Sequence, residues 1–175
     1  LGAEVHWRDE ALCGDDVSLD PVVYDVVKEL DGVDYVVTMQ PTAPLLTVAT
    51  LDDAIRRARE DNLDTLISVT NVPRLSWKGG RGSRIPEYEK RENSQHLPPR
   101  YIEVGAFMIS KKTVISETSR IGERVDVYEL PESESLDVSN FNDLYIASRR
   151  LEDESQFTLT ATTSAASGTF IGPLR

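Results

Sequence analysis

The stretch Asp-Tyr-Val-Val-Thr-Met-Gln-Pro-Thr-Ala-Pro-Leu, residues 34–45, decides the fold of this chain. Its first half is short, apolar and β-branched, which is typical of a buried strand, and the prolines that follow prevent the strand from continuing. Residues 50–60 then carry apolar side chains at helical spacing behind a capping Thr50, and residues 64–70 form a second apolar run. Strand, helix and strand with short connections predict a parallel β–α–β crossover in an α/β fold, with the first strand inside the sheet rather than at an outer antiparallel edge.

Further elements are predicted on both sides of this unit. Upstream, residues 22–30 have helical spacing, with Asp20 as the N-cap and Pro21 in the first turn. Downstream, the pattern predicts a strand over 101–109, the start of a short helix at 114–116, a strand over 125–130 and a closing helix over 142–151.

Two segments differ in composition from the rest of the chain. Residues 73–100 are rich in Pro, Gly, Arg and Lys, which predicts an excursion from the sheet, either a hairpin or a dimerisation arm. Residues 153–175 are small and polar without a clear period, which predicts a disordered tail. One domain is therefore expected over residues 1–152.

The charge balance limits the partners. The formal net charge is −11, from 30 acidic and 19 basic residues, which argues against nucleic acid or an anionic membrane as the main partner. No apolar run is long enough to span a bilayer, and Cys13 is the only cysteine, so a disulfide within the chain is excluded. We expect a cytoplasmic protein.

In open α/β sheets, ligands bind beyond the carboxyl ends of the strands. This rule places the loop that begins at Gln40 and the loop over residues 70–74 on the expected active face.

Several separated stretches, in order, resemble the acylneuraminate cytidylyltransferase family. They are Arg-Asp-Glu-Ala-Leu at 8–12, Tyr-Val-Val-Thr-Met-Gln-Pro-Thr-Ala-Pro-Leu at 35–45, the segment 91–107 that ends in Glu-Val-Gly-Ala-Phe, and residues 121–144 with their Leu-Asp-Val-Ser. The resemblance implies a three-layer, Rossmann-like sheet of the nucleotide-diphospho-sugar transferase type with a protruding arm. It also implies a homodimer that transfers CMP from CTP to a sialic-acid-like nonulosonic acid. The opening strand and glycine-rich phosphate loop of the family would precede Leu1, so we expect this chain to lack them.

The resemblance also implies site residues. Asp137 matches a metal-binding Asp, which favours a Mg²⁺ ligand and catalytic residue, the alternative being the start of a turn. Gln40 offers an amide to a sugar hydroxyl or a base edge, the alternative being a satisfied loop amide. Thr42 either assists Gln40 or caps its own turn.

The segment before the strand at 101–109 supplies the other candidates. Arg91, Asn93 and Gln95 are candidates for binding the substrate, with a guanidinium that could grip the sugar carboxylate, and a solvated loop is the alternative. Gly105 lies in the matching Gly-Ala-Phe and is assigned to substrate binding by the resemblance. Lys78, Arg81 and Arg84 surround glycines without P-loop spacing, which favours a hairpin tip.

A second function class stays open. The chain has Ser94, Val104 and Ser139 where the family has an arginine, an Asn or Thr, and a second Asp. A catalytically incomplete binding or assembly module derived from the same fold is therefore the alternative to an enzyme.

Overall fold

The computed structural model describes the backbone of residues 3–166 and the side chains of residues 3–153. The helices are α1 (Leu19–Val27), α2 (Val48–Glu60) and α3 (Phe141–Ala166), and the strands are β1 (Tyr35–Met39), β2 (Thr65–Asn71), β3 (Trp77–Lys78), β4 (Ile85–Pro86), β5 (Tyr101–Lys111) and β6 (Val125–Glu129). Short 3-10 turns lie at Glu10–Leu12, Ser94–His96 and Lys112–Val114.

The main sheet is mixed. Its strand order is β1-β5-β2-β6, in which β5 is antiparallel to both of its neighbours and β2 is parallel to β6. Strands β1 and β2 therefore run in the same direction and are joined through α2, as the sequence predicts, but β5 lies between them. The predicted α/β fold is confirmed.

The prediction for the position of β1 is wrong. Among the described residues β1 pairs only with β5, antiparallel, from Tyr35 opposite Lys111 to Met39 opposite Phe107, so it is an outer strand. Its side chains are mostly half-buried rather than buried. This position is compatible with the α/β fold. Helix α2 still connects two strands that run in the same direction, β1 and β2, although β5 lies between them in the sheet.

One hydrophobic cluster joins α2 to the sheet. It contains Ala54 and Ala58 of α2, both fully buried, together with Leu66, Phe107 and Ile109 of the strands. Small residues on the inner stripe of α2 let the helix approach the sheet closely, and the alternation of the strands aims their larger apolar side chains at it.

Two predicted helix starts are corrected. Helix α2 is capped by the Thr47 hydroxyl, which accepts from the Thr50 amide at 3.2 Å, so Thr50 lies inside the first turn. Helix α1 begins after Ser18, one turn earlier than the periodicity indicates, and Asp20 is a first-turn residue. Apolar spacing marks the buried stripe of a helix, whereas the cap is set by the local chain direction.

Strand β5 is irregular opposite the middle of β2. The register shifts between Ile67, which faces Met108, and Val69, which faces Glu103. The buried Ser68 hydroxyl satisfies the disrupted backbone, since it donates to the Val104 carbonyl at 2.6 Å and accepts from the Phe107 amide at 3.0 Å. The irregularity is a bulge in β5 around Gly105.

The segment between β2 and β5 forms the predicted hairpin. Trp77 pairs with Pro86 and Lys78 with Ile85, and the Trp77 and Tyr88 rings meet edge to face with their centroids 6.0 Å apart. Its role in dimerisation stays a prediction.

Helix α3 runs further than the sequence indicates. It continues past Leu151, its predicted end, to Ala166. No Gly or Pro interrupts this stretch, and each added residue completes another helical hydrogen bond. The disordered tail predicted over residues 153–175 stays a prediction, and residues 167–175 lie outside the described residues. Within the described part of the chain, no helix is both long and apolar enough to cross a membrane.

Candidate functional site

A cleft of about 250 Å³ lies on one face of the main sheet, between the end of β1 and the segments that carry Arg120 and Asp137. It brings together residues from distant parts of the sequence: Thr38, Gln40, Ile67, Glu103, Val104, Gly105, Phe107, Met108, Arg120 and Asp137. Of the two loops expected on the active face, the loop that begins at Gln40 contributes to the cleft, whereas no residue of 70–74 lines it.

Three neighbouring strands form the floor of this cleft. Thr38 of β1 faces Met108 of β5, and Met108 faces Ile67 of β2. These side chains alternate with Val37, Leu66 and Ile109, which pack toward α2, so the floor lies on the opposite face of the sheet. The result is a surface that is apolar except for the Thr38 hydroxyl.

Gln40 lies directly against Gly105. The backbone N–H of Gln40 donates to the Gly105 carbonyl at 3.2 Å, and a Cβ on Gly105 would lie 2.7 Å from Gln40 Oε1 in the side chain. A side chain at this position would have to displace the Gln40 side chain, so glycine lets that side chain lie against the strand. The Gln40 side chain is exposed and lines the cleft, so its amide is available to a ligand.

Asp137 reaches the cleft on the segment between β6 and α3. This segment is fastened to the loop after β1, because the Val138 amide donates to the Thr42 carbonyl at 2.8 Å. A second connection is made by Glu134, which is 8% exposed and accepts from the Thr47 amide at 2.9 Å and the Thr50 hydroxyl at 2.9 Å. Both connections fix Asp137 relative to Gln40.

Arg120 forms another side of the cleft. Its side chain is 12% exposed, and its Nε donates to Asp20 in the first turn of α1 at 2.7 Å. The Arg120 carbonyl accepts from the hydroxyls of Thr65 and Ser110, which holds the backbone against the sheet.

The structure separates the other predicted site residues from this cleft. Arg91, Asn93 and Gln95 are exposed around the 3-10 turn Ser94–His96, and they do not line the cleft. Thr42 contributes its backbone, as described above, and its Oγ1 is buried without a hydrogen-bond partner among the described residues.

Asp143 belongs to the N-terminal cap of α3. Asn140 Oδ1 accepts from the amides of Asn142 and Asp143, and Asp143 Oδ2 accepts from the Ser139 amide at 3.0 Å. This arrangement is a helix N-terminal cap, so Asp143 stabilises the helix and stands outside the cleft.

Sequence reasoning missed Arg120, Glu134 and Ser68. Ser68 gave a signal, because it is a polar residue inside an otherwise apolar strand. Glu134 lies in a Glu- and Ser-rich run, and Arg120 lies in a turn. The residues that surround each of them are typical of a solvent-exposed segment, so neither could be recognised from the sequence.

Two solved structures with a similar fold are cytidylyltransferases. The 4-diphosphocytidyl-2C-methyl-D-erythritol synthase of Anaerococcus prevotii is 13% identical with a TM-score of 0.54, over 74% of this chain and 64% of its own. The 2-C-methyl-D-erythritol 4-phosphate cytidylyltransferase of Francisella tularensis is 13% identical with a TM-score of 0.53, over 73% of this chain and 65% of its own. No family model matches the chain.

At this identity the likeness shows the fold. The predicted nucleotide-diphospho-sugar transferase type is confirmed. The chain covers less than two thirds of the length of either structure.

Proposed function

We propose that this chain belongs to a cytidylyltransferase that transfers CMP from CTP to a sialic-acid-like nonulosonic acid. The observation that carries the proposal is the meeting of Gln40, Gly105 and Asp137 in one cleft. They come from three separate stretches that resemble the acylneuraminate cytidylyltransferases. The similar fold of two other cytidylyltransferases supports the use of CTP.

The proposed reaction joins the anomeric hydroxyl of the sugar to the α-phosphorus of CTP. The hydroxyl oxygen forms a bond to the α-phosphorus, the bond from that phosphorus to the oxygen bridging to the β-phosphorus breaks, and pyrophosphate leaves. The hydroxyl proton passes to water or to a base. Gln40 would orient the sugar, because its amide both donates and accepts hydrogen bonds.

The acidic residues of the cleft fit Mg²⁺ only together with a phosphate ligand. Asp137 and Glu103 both line the cleft, but the described residues contain no group of three or more His, Cys, Asp or Glu side chains that could hold a metal ion. Mg²⁺ is commonly held by one or two carboxylates plus substrate phosphates, so Asp137 is the residue that would hold it. The bound ion would neutralise the phosphates and lower the pKa of the attacking hydroxyl.

Asp137→Asn tests the proposal. Pyrophosphate release is measured with CTP, Mg²⁺ and a panel of nonulosonic acids, and CTP binding is measured by calorimetry with and without Mg²⁺. We expect turnover to fall by about two orders of magnitude and the Mg²⁺-dependent part of CTP binding to disappear. Asp143→Asn is the matched control, since Asp143 lies outside the cleft and asparagine still accepts from Ser139.

Normal turnover and normal Mg²⁺ dependence in Asp137→Asn would contradict the assigned role. Wild-type protein that binds neither CTP nor any sugar acid would contradict the proposed function itself.

A binding or assembly module without catalysis is the second candidate. It is favoured by the position of Arg91, Asn93 and Gln95 outside the cleft and by the Ser139 amide bonded to Asp143 where the resembling family has a second Asp. Calorimetry separates the candidates, because a module would bind the sugar acid or nucleotide without releasing pyrophosphate.

A further inference from the structure

Arg120 is a poorly exposed charge with an incomplete set of partners. Its side chain is 12% exposed and its Nε is occupied by Asp20 at 2.7 Å. Arginine is rarely buried unless it is paired, and this ion pair accounts for only one of its nitrogen atoms. Among the described residues no hydrogen bond is made by its two terminal nitrogens.

The terminal nitrogens form the free edge of the guanidinium. Because Asp20 holds Nε, the planar group is fixed in orientation while it lines the cleft. Two parallel N–H groups at such an edge match the two oxygens of a carboxylate. A preoriented guanidinium also loses less side-chain entropy on binding than a mobile surface arginine.

The rest of the cleft selects among anions. The other charged residues that line it are Glu103 and Asp137, both acidic, which would repel a polyphosphate that carries no cation. The volume of about 250 Å³ is also below the range of roughly 300–1,000 Å³ typical of sites for drug-sized ligands. One sugar with a single carboxylate suits this space better than a nucleotide.

We infer that Arg120, oriented by Asp20, binds the carboxylate of the sugar acid in the cleft lined by Gln40 and Gly105. The identity of the ligand as a nonulosonic acid rests on the proposed function. The role is the one that the sequence suggested for Arg91, and Arg120 is the arginine that lines the cleft.

The test compares a sugar acid with its neutral ester. N-acetylneuraminic acid and its methyl ester are titrated into wild-type protein and into Arg120→Gln, with binding followed by calorimetry. We expect the acid to bind Arg120→Gln at least about tenfold more weakly, since a charge-assisted bidentate contact is lost. The ester should bind both proteins equally. Arg124→Gln is the matched control, because Arg124 is exposed and donates to the Asp61 carbonyl outside the cleft.

A second variant controls for a loss of affinity that is caused by misfolding. Arg120→Gln leaves Asp20 without its partner, so the double variant Asp20→Asn, Arg120→Gln keeps a neutral hydrogen-bonded pair, and thermal melting confirms that it is folded. It should show the same loss of affinity for the acid.

The outcomes separate the two proposals. Unchanged affinity for the acid in a folded Arg120 variant overturns this inference and leaves the proposed function standing. The same holds if the variants lose affinity for CTP but not for the acid. Wild-type protein that binds neither acid nor ester overturns the inference, and pyrophosphate release with CTP then decides the proposed function separately. Arg120-dependent binding of the acid without any CMP transfer supports the inference and favours the binding module over the transferase.

Discussion

At the scale of single residues, the contact between Gly105 and Gln40 makes the cleft sensitive to one methyl group. A Cβ at Gly105 would lie 2.7 Å from Gln40 Oε1 and must displace that flexible side chain. Gly105→Ala should therefore change the free energy of unfolding by less than about 1 kcal/mol while it weakens binding of the sugar acid about tenfold.

Calorimetry and urea unfolding measure the two effects. Gly80→Ala is the control, since nothing lies within 4 Å of a Cβ there. Gln40→Ala should weaken binding as much as Gly105→Ala does, and the double variant should be no weaker, because both act through the same side chain. Full affinity in Gly105→Ala would show that Gln40 does not contact the ligand.

At the scale of elements, Glu134 fastens the start of α2 to the segment that carries Asp137. Its buried carboxylate accepts from the Thr47 amide and from the hydroxyls of Thr47 and Thr50, at the end of the helix where the dipole favours negative charge. Glu134→Gln turns an NH₂ group toward these donors, so the free energy of unfolding should fall by about 1–3 kcal/mol.

The urea midpoint measures this loss, with exposed Glu132→Gln as the control. Equal midpoints for the two variants would mean that the carboxylate does not fasten these elements.

Asp64 connects the entry of β2 to β5 and to the turn before β6. Its carboxylate accepts from Lys111 Nζ at 2.9 Å and from the amides of Arg124 and Glu123 at 3.1 and 3.2 Å. The hydrogen bond from Lys111, followed by those from the backbone, lowers the pKa of Asp64 below its ordinary value of 3.8. The stability it contributes is therefore present above about pH 3.8 and is lost as the pH falls through the lower pKa of the folded state.

We expect Asp64→Asn to be less stable than wild type at pH 6 and to lose less further stability between pH 5 and pH 2. Urea unfolding across this range measures the slope, and Asp31→Asn, which removes an exposed carboxylate, is the control. If stability depends on pH in Asp64→Asn as it does in wild type, other groups cause the loss of stability in acid.

At the scale of the whole molecule, the hairpin between β2 and β5 is expected to mediate self-association. Trp77 and Ile85 are 57% and 52% exposed on its two strands, and large apolar side chains there would be covered by a partner. We predict that the intact chain sediments as a dimer and that Trp77→Ser with Ile85→Ser yields a monomer. Val48→Ser is the control, because Val48 is 76% exposed on α2. A monomeric wild-type chain would contradict the prediction.

The main elements and the segments that form the site could be predicted from the order of residues alone. The apolar periods located β1, α2, β2, β5 and β6, and the direction of β1 and β2 placed Gln40 at the edge of the sheet where a ligand is expected. The resemblance added Gly105 and Asp137, which the structure brings together with Gln40. These features could be predicted because the periodicity of a strand or a helix depends only on residues that are close together in the sequence.

The way in which distant segments combine became apparent from the folded chain. The insertion of β5 between β1 and β2, its bulge at Gly105 and the outer position of β1 all depend on pairing between strands far apart in the chain. Arg120 and Glu134 acquire their roles from Asp20 and from the start of α2, each many residues away. A charged residue has the same local signature on a solvated turn as in a cleft, and the difference arises from the burial and the partners that folding provides.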